Sequence, residues 1–531
     1  MRRVSPDPVV QGIQSVIFLS NISPPLVRIE CGQGGILLRR TMPIFYSALM
    51  LTGVNLLLRM VSTSFQVFLS GRIGAAGVGL LQLVLSVGSL AMTAGIAGIR
   101  TATMYLTAGE IGKKRPQNVT WVLSGAFLYS ILFSSTIAAL IWFFAPQIAE
   151  VWIGDCRTVE ALRLFSGFLP IACLTGVMTG YFTAANRIGT LAAVEIAEQL
   201  CSMAATVAAL TLWAGNDPGR ACQAVILGSS IGALMTLLCL VFLRKRERPR
   251  TGKRIPIARP LANTALPLAL ADDLKAGIST AENLMVPKRL ALYHGTADPL
   301  ALFGTVCGMV FPVLMFPAAI LFGLTELLIP ELARCNAAGS QTRIVYLVRR
   351  SLRVALLYGS VSGGILFLCA GELCQSLYHN ADAGVYLRWF SVLTVMLYCD
   401  IVTDAMIKGL GQQKASVRYN ILTSAMDVAF LYILLPKYGI TGYFASFLVT
   451  HLVNFALSLR RLLKIAKVSI PFHVPALTLA AAMVSVWVSG FLGNLPMRIG
   501  AFLSIFASLL CLLKITGKED VLWLKGLVYK K

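Results

Sequence analysis

Residues 258–292 read ARPLANTALPLALADDLKAGISTAENLMVPKRLAL. A bilayer is crossed by about 20 residues of helix, so the stretch is long enough, yet its middle carries Asp272, Asp273, Lys275 and Glu282. Ionisable groups at that depth are costly and by default mark a pathway or a site. On a helix turning about 100° per residue, Asp272, Lys275, Ser279 and Glu282 fall within about 80° of one another. Asp273 lies off this stripe. A span with a single polar stripe is expected to face a wet cavity or other helices, not lipid.

The surrounding chain has 531 residues, 57% of them hydrophobic and only 13% charged, with a mean hydropathy of +0.76. Soluble domains carry about 25% charged residues, and long apolar runs read as transmembrane helices. The fold class is therefore all-α and polytopic; the short alternating segments of a β-barrel are absent. Twelve cysteines include no C-x-x-C pair, and there are four His, so no metal site is expected. The chain has no Walker motif, Gly-rich dinucleotide loop or nucleophile elbow, so no catalytic residues are assigned and an enzyme is not expected.

Hydrophobic runs place about fourteen spans, near 41–69, 78–99, 119–144, 161–184, 190–213, 221–243, 259–290, 300–329, 349–369, 385–407, 416–434, 442–463, 473–491 and 498–515. With the N-terminus inside, most Lys and Arg fall on inside segments, including 113–115, 244–254 (RKRERPRTGKR), 349–353 and 460–467. That is the positive-inside pattern, with both termini cytoplasmic. The net charge of +23 is thus mostly a topology signal, aided by anionic lipid, and nucleic acid is not an expected partner. The expected divisions are an N-terminal extension, flexible or mis-started, at 1–38; a six-helix bundle at 39–243; a basic linker at 244–258; a second bundle at 259–464; and two more helices with a basic tail at 465–531.

The halves show traces of duplication. LRLFS at 162–166 matches LRWFS at 387–391, and Ala145 matches Ala370 at the same offset. Parallel repeats of this kind are common in transporters. The repeat partner of 259–290 is then the first span, where Thr52, Asn55, Arg59, Ser62 and Gln66 share a face about 80° wide. Arg59 and Glu282 occupy equivalent depths with opposite charge. Either they form a buried ion pair, or both line a central cavity. In the second case Arg59 meets an anionic group, since guanidinium matches phosphate with bidentate geometry, and Glu282 and its neighbours bind the cation or proton that resets the carrier. The substrate-binding candidates are Arg59, Asn55, Gln66, Asp272, Lys275, Ser279 and Glu282.

Weaker candidates follow. Asp400 and Asp404 lie four apart, with Lys408 four further on, so Asp404–Lys408 also fits an ordinary helix pair. Glu195 and Glu198 share a face suited to cavity lining or to inter-helix hydrogen bonding. Arg100 sits at a cytoplasmic helix end, where topology alone explains it. Pro312 and Pro317 are expected to kink or break the span at 300–329.

The segments STAENLMVPKRLAL (279–292), GMVFPVLMFPAAILFGLTELLIPELA (308–333) and LLPKYGITGYFASFLVTHLVNFALSLRRL (434–462) resemble the stage V sporulation protein B family. Its members are polysaccharide-biosynthesis-type exporters of the multidrug/oligosaccharidyl-lipid/polysaccharide (MOP) superfamily, and the resemblance spans nearly all of 36–516. It implies two six-helix bundles in a V shape with two added helices, as in lipid II flippases. It also implies alternating-access transport of a lipid-linked, pyrophosphate-bearing cell-wall or polysaccharide precursor across the plasma membrane of a bacterium, as in spore cortex formation. Arg59 is the one position of the first span that matches a cavity arginine of those flippases and Arg100 is a looser match; their other cavity arginines have no clear counterpart here, and the acids of 258–292 are extra. No cofactor is implied beyond a coupling ion, H+ or Na+. The expected partners are the precursor, membrane lipids and cell-wall synthases, and a monomer suffices. The competing readings are a cation-coupled multidrug exporter of the same superfamily and a non-transporting scaffold for cell-wall synthesis. A membrane glycosyltransferase lacks the carboxylate-rich loop it would need.

Overall fold

The computed structural model describes residues 42–513 and 515, except 114, 186, 216, 246–256, 296–297, 470 and 472. The expected N-terminal extension, most of the basic linker and the end of the tail lie outside them. The described residues form helices and connecting turns: α1 (Met42–Ile96), α2 (Ile99–Gly112), α3 (Val119–Gln147), α4 (Val159–Ala184), α5 (Ile188–Ala209), α6 (Pro218–Lys245) and α7 (Ala258–Leu290). After them come α8 (Pro299–Gly304), α9 (Phe311–Met315), α10 (Ala318–Ala337), α11 (Gln341–Tyr378), α12 (Ala381–Ser391), α13 (Thr394–Gly409), α14 (Gln413–Ala466), α15 (His473–Ser489) and α16 (Leu495–Leu512).

All fourteen predicted stretches fall largely in helical backbone. By length and apolarity, eight of the described helices are able to cross a membrane, or up to ten if each of two bent pairs is one span. The protein is thus a multi-pass α-helical membrane protein. Two of the eight, Leu56–Ile111 (56 residues) and Gln413–Ala466 (54 residues), reach about 80 Å at 1.5 Å per residue, against a hydrocarbon core of about 30 Å. Neither is one straight rod. The first breaks at Gly74 (φ 69°) and again at Ala97 and Gly98 (φ 43° and 69°). The second turns back at Gly439 (φ 55°, ψ −133°).

The chain divides into two compact units, and the division does not fall at the basic linker. One unit takes Leu83–Thr280, and the other takes Met42–Gln82 together with Ala281–Lys531. The expected bundles, 39–243 and 259–464, follow the sequence halves; the units instead give the start of α1 to the second and most of α7 to the first.

In the first unit, Ile99, Leu123, Val177, Phe182, Leu240 and Leu261 form the core. The Tyr129 hydroxyl donates to the Ala97 carbonyl at 3.2 Å, tying α3 to the broken end of α1.

In the second unit, helices approach at small residues. A Cβ on Gly79 would lie 2.3 Å from the Leu300 carbonyl oxygen, and one on Gly304 would lie 2.0 Å from that of Ala75. Glycine at these two positions allows the backbones to touch, the usual solution where lipid removes the hydrophobic drive. The predicted proline effect takes the form of a 60° bend between Pro299–Met315 and Ala318–Ala337. Pro317 has no N–H to give, and two tyrosines bind carbonyls at the break. Tyr398 donates to the Leu314 oxygen at 2.8 Å and Tyr358 to the Pro317 oxygen at 2.8 Å. A second bend, of 57°, separates α12 from α13.

The two arms of α14 pack through a seam of small and polar residues: Ser416, Thr423 and Asp427 on the first, Ser446, Thr450, Asn454 and Ser458 on the second. Their spacing of about four residues keeps them on one helix face.

Candidate functional site

This seam builds the second unit's polar centre. Asp427, only 5% exposed, accepts hydrogen bonds from Ser446 Oγ at 2.5 Å and from Thr450 Oγ1 at 3.2 Å. The carboxyl of Glu282, which enters from the C-terminal part of α7, lies beside it. Two carboxylates side by side are costly unless a proton or a cation offsets their charge. The surroundings sharpen this. Rings of Phe311, Phe390, Tyr443 and Phe447 pack with centroids 5.2–6.5 Å apart beside the pair, and unpaired charge in an apolar interior is costly.

Polar contacts run on from this centre. Thr423 Oγ1 donates to Asn454 Oδ1 at 3.5 Å, and Asn454 Nδ2 donates to Asp400 Oδ2 at 3.0 Å. The other Asp400 oxygen is buried without a hydrogen-bond partner. One turn further along α13, Asp404 pairs with Lys408 at 2.6 Å and accepts from Ser416. His451 Nδ1 donates to the Phe447 carbonyl at 3.0 Å, and its ring stacks on Phe447 with centroids 3.9 Å apart.

Arg59 belongs to the same unit, half-buried, and acts through space on the Tyr398 hydroxyl, beside the break in the chain at Pro317. Among the described residues no carboxylate pairs with Arg59; the expected alternative, an Arg59–Glu282 ion pair, is not formed. Gln66 lies on the same face as Arg59. Its Nε2 donates to the Gly308 carbonyl at 3.1 Å, within the π-helical turn Thr305–Val310. A π turn frees a carbonyl from the regular ladder, and Gln66 satisfies it. Of Asn55 only the helical backbone is described.

The polar stripe of α7 divides between the units. Glu282 meets Asp427, whereas Asp272, Lys275 and Ser279 are exposed in the first unit. Asp273, off the stripe, is half-buried with Oδ1 unpartnered. Arg100 and Glu195 are both exposed and interact electrostatically, with Glu198 next to them; Glu198 Oε2 accepts from Thr236 Oγ1 at 2.8 Å. Inter-helix bonding therefore accounts for Glu198.

Sequence reasoning missed Asp427 and its partners Ser446, Thr450 and Asn454. The available signal was an acid alone in the apolar run LTSAMDVAFLYI, 422–433. Among the described residues no group of three or more His, Cys, Asp or Glu is arranged to hold a metal.

Comparison with known proteins agrees with this architecture. The MatE family matches residues 51–210. Stage V sporulation protein B of Bacillus subtilis (strain 168) is 22% identical over 499 residues, which is 89% of this chain and 96% of that protein. Among solved structures, the lipid II flippase MurJ in an inward closed conformation superposes with a TM-score of 0.64 at 12% identity, covering 89% of this chain and 98% of that one. An inward-facing multidrug resistance MATE family transporter of the MOP superfamily gives 0.62 at 15% identity, covering 79% and 100%. The chain thus has the fold of the MOP-superfamily transporters and is similar along most of its length to stage V sporulation protein B.

Proposed function

We propose that the protein is a flippase for a lipid-linked, pyrophosphate-bearing cell-wall or polysaccharide precursor, in which Arg59 receives the anionic head group. The observation that carries this reading is an intramembrane arginine with no carboxylate partner among the described residues. Such a charge is expensive in a membrane unless it has an anion to meet, and guanidinium suits phosphate oxygens in particular. The full-length similarity to stage V sporulation protein B and the MurJ-like fold support it, as does the second unit's acid pair. Glu282 and Asp427 act as the coupling site, taking up H+ or Na+ and so tying one conformation of the second unit to the gradient. No covalent chemistry is required.

The test is flipping of fluorescent lipid II in proteoliposomes by the wild type, Arg59→Ala and Glu282→Gln, each checked by its elution profile in detergent. Flipping by the wild type that is lost in well-folded Arg59→Ala supports the reading. Flipping that survives both substitutions removes the site and keeps the function. Absence of flipping by every version, with export of cationic drugs driven by an ion gradient, replaces the reading with the multidrug exporter.

A further inference from the structure

The second unit holds a cavity that the transport reading does not use. Helix α11 runs from Gln341 to Tyr378, so Asn380 and the arginines near Arg343 mark opposite ends of the unit. At the Asn380 end lies a cavity of about 510 Å³, within the size range of small-molecule sites. Its walls come from residues between α7 and α8, from α8 itself, the start of α12 and the tip of the α14 hairpin, with Ala75 of α1. They supply Tyr293, Tyr386 and Tyr438 together with Asp298, Asn380 and Asp382.

Several of these groups are held in place by the fold. Asp298 caps α8, its Oδ1 accepting from the Leu300 and Ala301 amides at 3.1 and 3.0 Å; Oδ2 takes no part in the cap. Asn380 caps α12 through Oδ1, which accepts from the Ala383 amide at 3.1 Å. Its Nδ2 has as partner the Met309 thioether at 3.9 Å, a weak acceptor that leaves donor capacity. The Tyr293 ring lies against the Gly439 backbone, where a Cβ would come within 2.7 Å of it.

This lining discriminates among ligand classes. None of the lining residues is Lys or Arg, so two carboxylates act against an anionic phosphate. A bare ammonium ion uses acceptors only and leaves the Asn380 amide and the tyrosine hydroxyls unused as donors. A sugar ring uses every part: C–H faces against aromatic rings, and hydroxyls that both donate to carboxylates and accept from amide and phenol. We propose that this cavity binds a neutral pyranoside, its ring against the tyrosines and its hydroxyls on Asp298, Asn380 and Asp382. The inference is independent of the flippase reading, because the cavity lies within one unit and involves neither Arg59 nor Glu282.

The experiment is saturation-transfer difference NMR on the full chain in detergent, with cellobiose and N,N′-diacetylchitobiose as probes and spermidine as the cationic comparison. Saturable transfer from one of the sugars is expected, with affinity falling roughly tenfold in Asp298→Asn, about what loss of one charge-assisted hydrogen bond removes. Asparagine still caps α8, so this variant keeps the fold. Tyr438→Ala, at an exposed position on the hairpin tip, is expected to weaken binding similarly. No saturable transfer from either sugar overturns the proposal. So does sugar binding unchanged in both variants, or spermidine binding that is salt-sensitive and excludes the sugars.

Discussion

The carboxyl groups of Glu282 and Asp427 lie side by side although they come from α7 and from the first arm of α14, far apart in the chain. Ser446 and Thr450 hold Asp427 from the second arm, so Asp427 also ties the two arms together. Asp427→Asn keeps a side chain able to bond Ser446 and Thr450 and removes one of the two acids. Flipping by this variant is expected to lose its response to an imposed proton or sodium gradient, with a change of about 5- to 150-fold, the usual range of site–site coupling. Rates in proteoliposomes with and without the gradient measure it. An unchanged gradient response in Asp427→Asn removes the pair from coupling.

Tyr398 ties α13 to the bend at Pro317, and Arg59 lies within electrostatic reach of its hydroxyl. Tyr398→Phe keeps the buried ring and its stacking on Tyr358, whose centroid lies 6.0 Å away. It strips the Leu314 carbonyl of this donor. An abandoned buried acceptor costs about 1–3 kcal/mol. Thermal unfolding in detergent is expected to fall by that amount, with Tyr358→Phe showing a smaller loss because the Pro317 oxygen also accepts from the Ile320 amide at 3.3 Å. Equal stability of Tyr398→Phe and wild type counts against this account of the bend.

Hydropathy made the helices legible, because burial in lipid demands long apolar runs whatever the packing. Arg59 and Glu282 stood out for the same reason: a charge inside such a run is expensive. The pairing of Glu282 was not legible, since its partner comes from a distant helix and hydroxyls at Ser446 and Thr450 are unremarkable inside an apolar segment. The Gly308 partner of Gln66 was not legible either, because periodicity gives a helix face but not what faces it; the π turn at Thr305–Val310 carries no periodic signature. The division into units was hidden too. Duplication in sequence reports ancestry, whereas the exchange of Met42–Gln82 and of Thr280's side of α7 depends on which surfaces pack.

Gly79 and Gly304 make a prediction about packing alone. Any Cβ at Gly79 meets the Leu300 carbonyl oxygen at 2.3 Å, and that atom is backbone, so α1 and α8 must move apart. Gly79→Ala is expected to lower stability by about 1–3 kcal/mol, as overpacking does. Gly71→Ala serves as the comparison, with no atom within 4 Å of its added Cβ, and is expected to be neutral or slightly stabilising through helix propensity. Chemical or thermal unfolding of the two variants side by side decides the matter; equal loss in both points to a general intolerance of alanine in α1.

Asp155, between the candidate spans Val119–Ile153 and Cys156–Ala184, forms a local lock with Arg157 at the start of the second. The Asp155 carboxylate accepts from the Arg157 backbone amide at 2.9 Å and from its Nε and Nη2 at 3.0 and 2.6 Å. The Arg157 hydrogen bond holds the Asp155 carboxyl below its ordinary value. A group whose folded pKa is depressed stabilises the fold at pH above its unfolded value, and loses that contribution as pH falls through the folded value. Asp155→Asn preserves the amide cap, because asparagine caps nearly as well, and deletes only the charge. With Arg157 more than half exposed, the loss at pH 7 is expected to stay below about 1 kcal/mol. It should shrink as pH drops below about 4, the unperturbed aspartate value, and vanish once the folded carboxyl is protonated. Unfolding of both proteins across that range checks the sign: a difference that grows on acidification would show that the Asp155 charge opposes the fold.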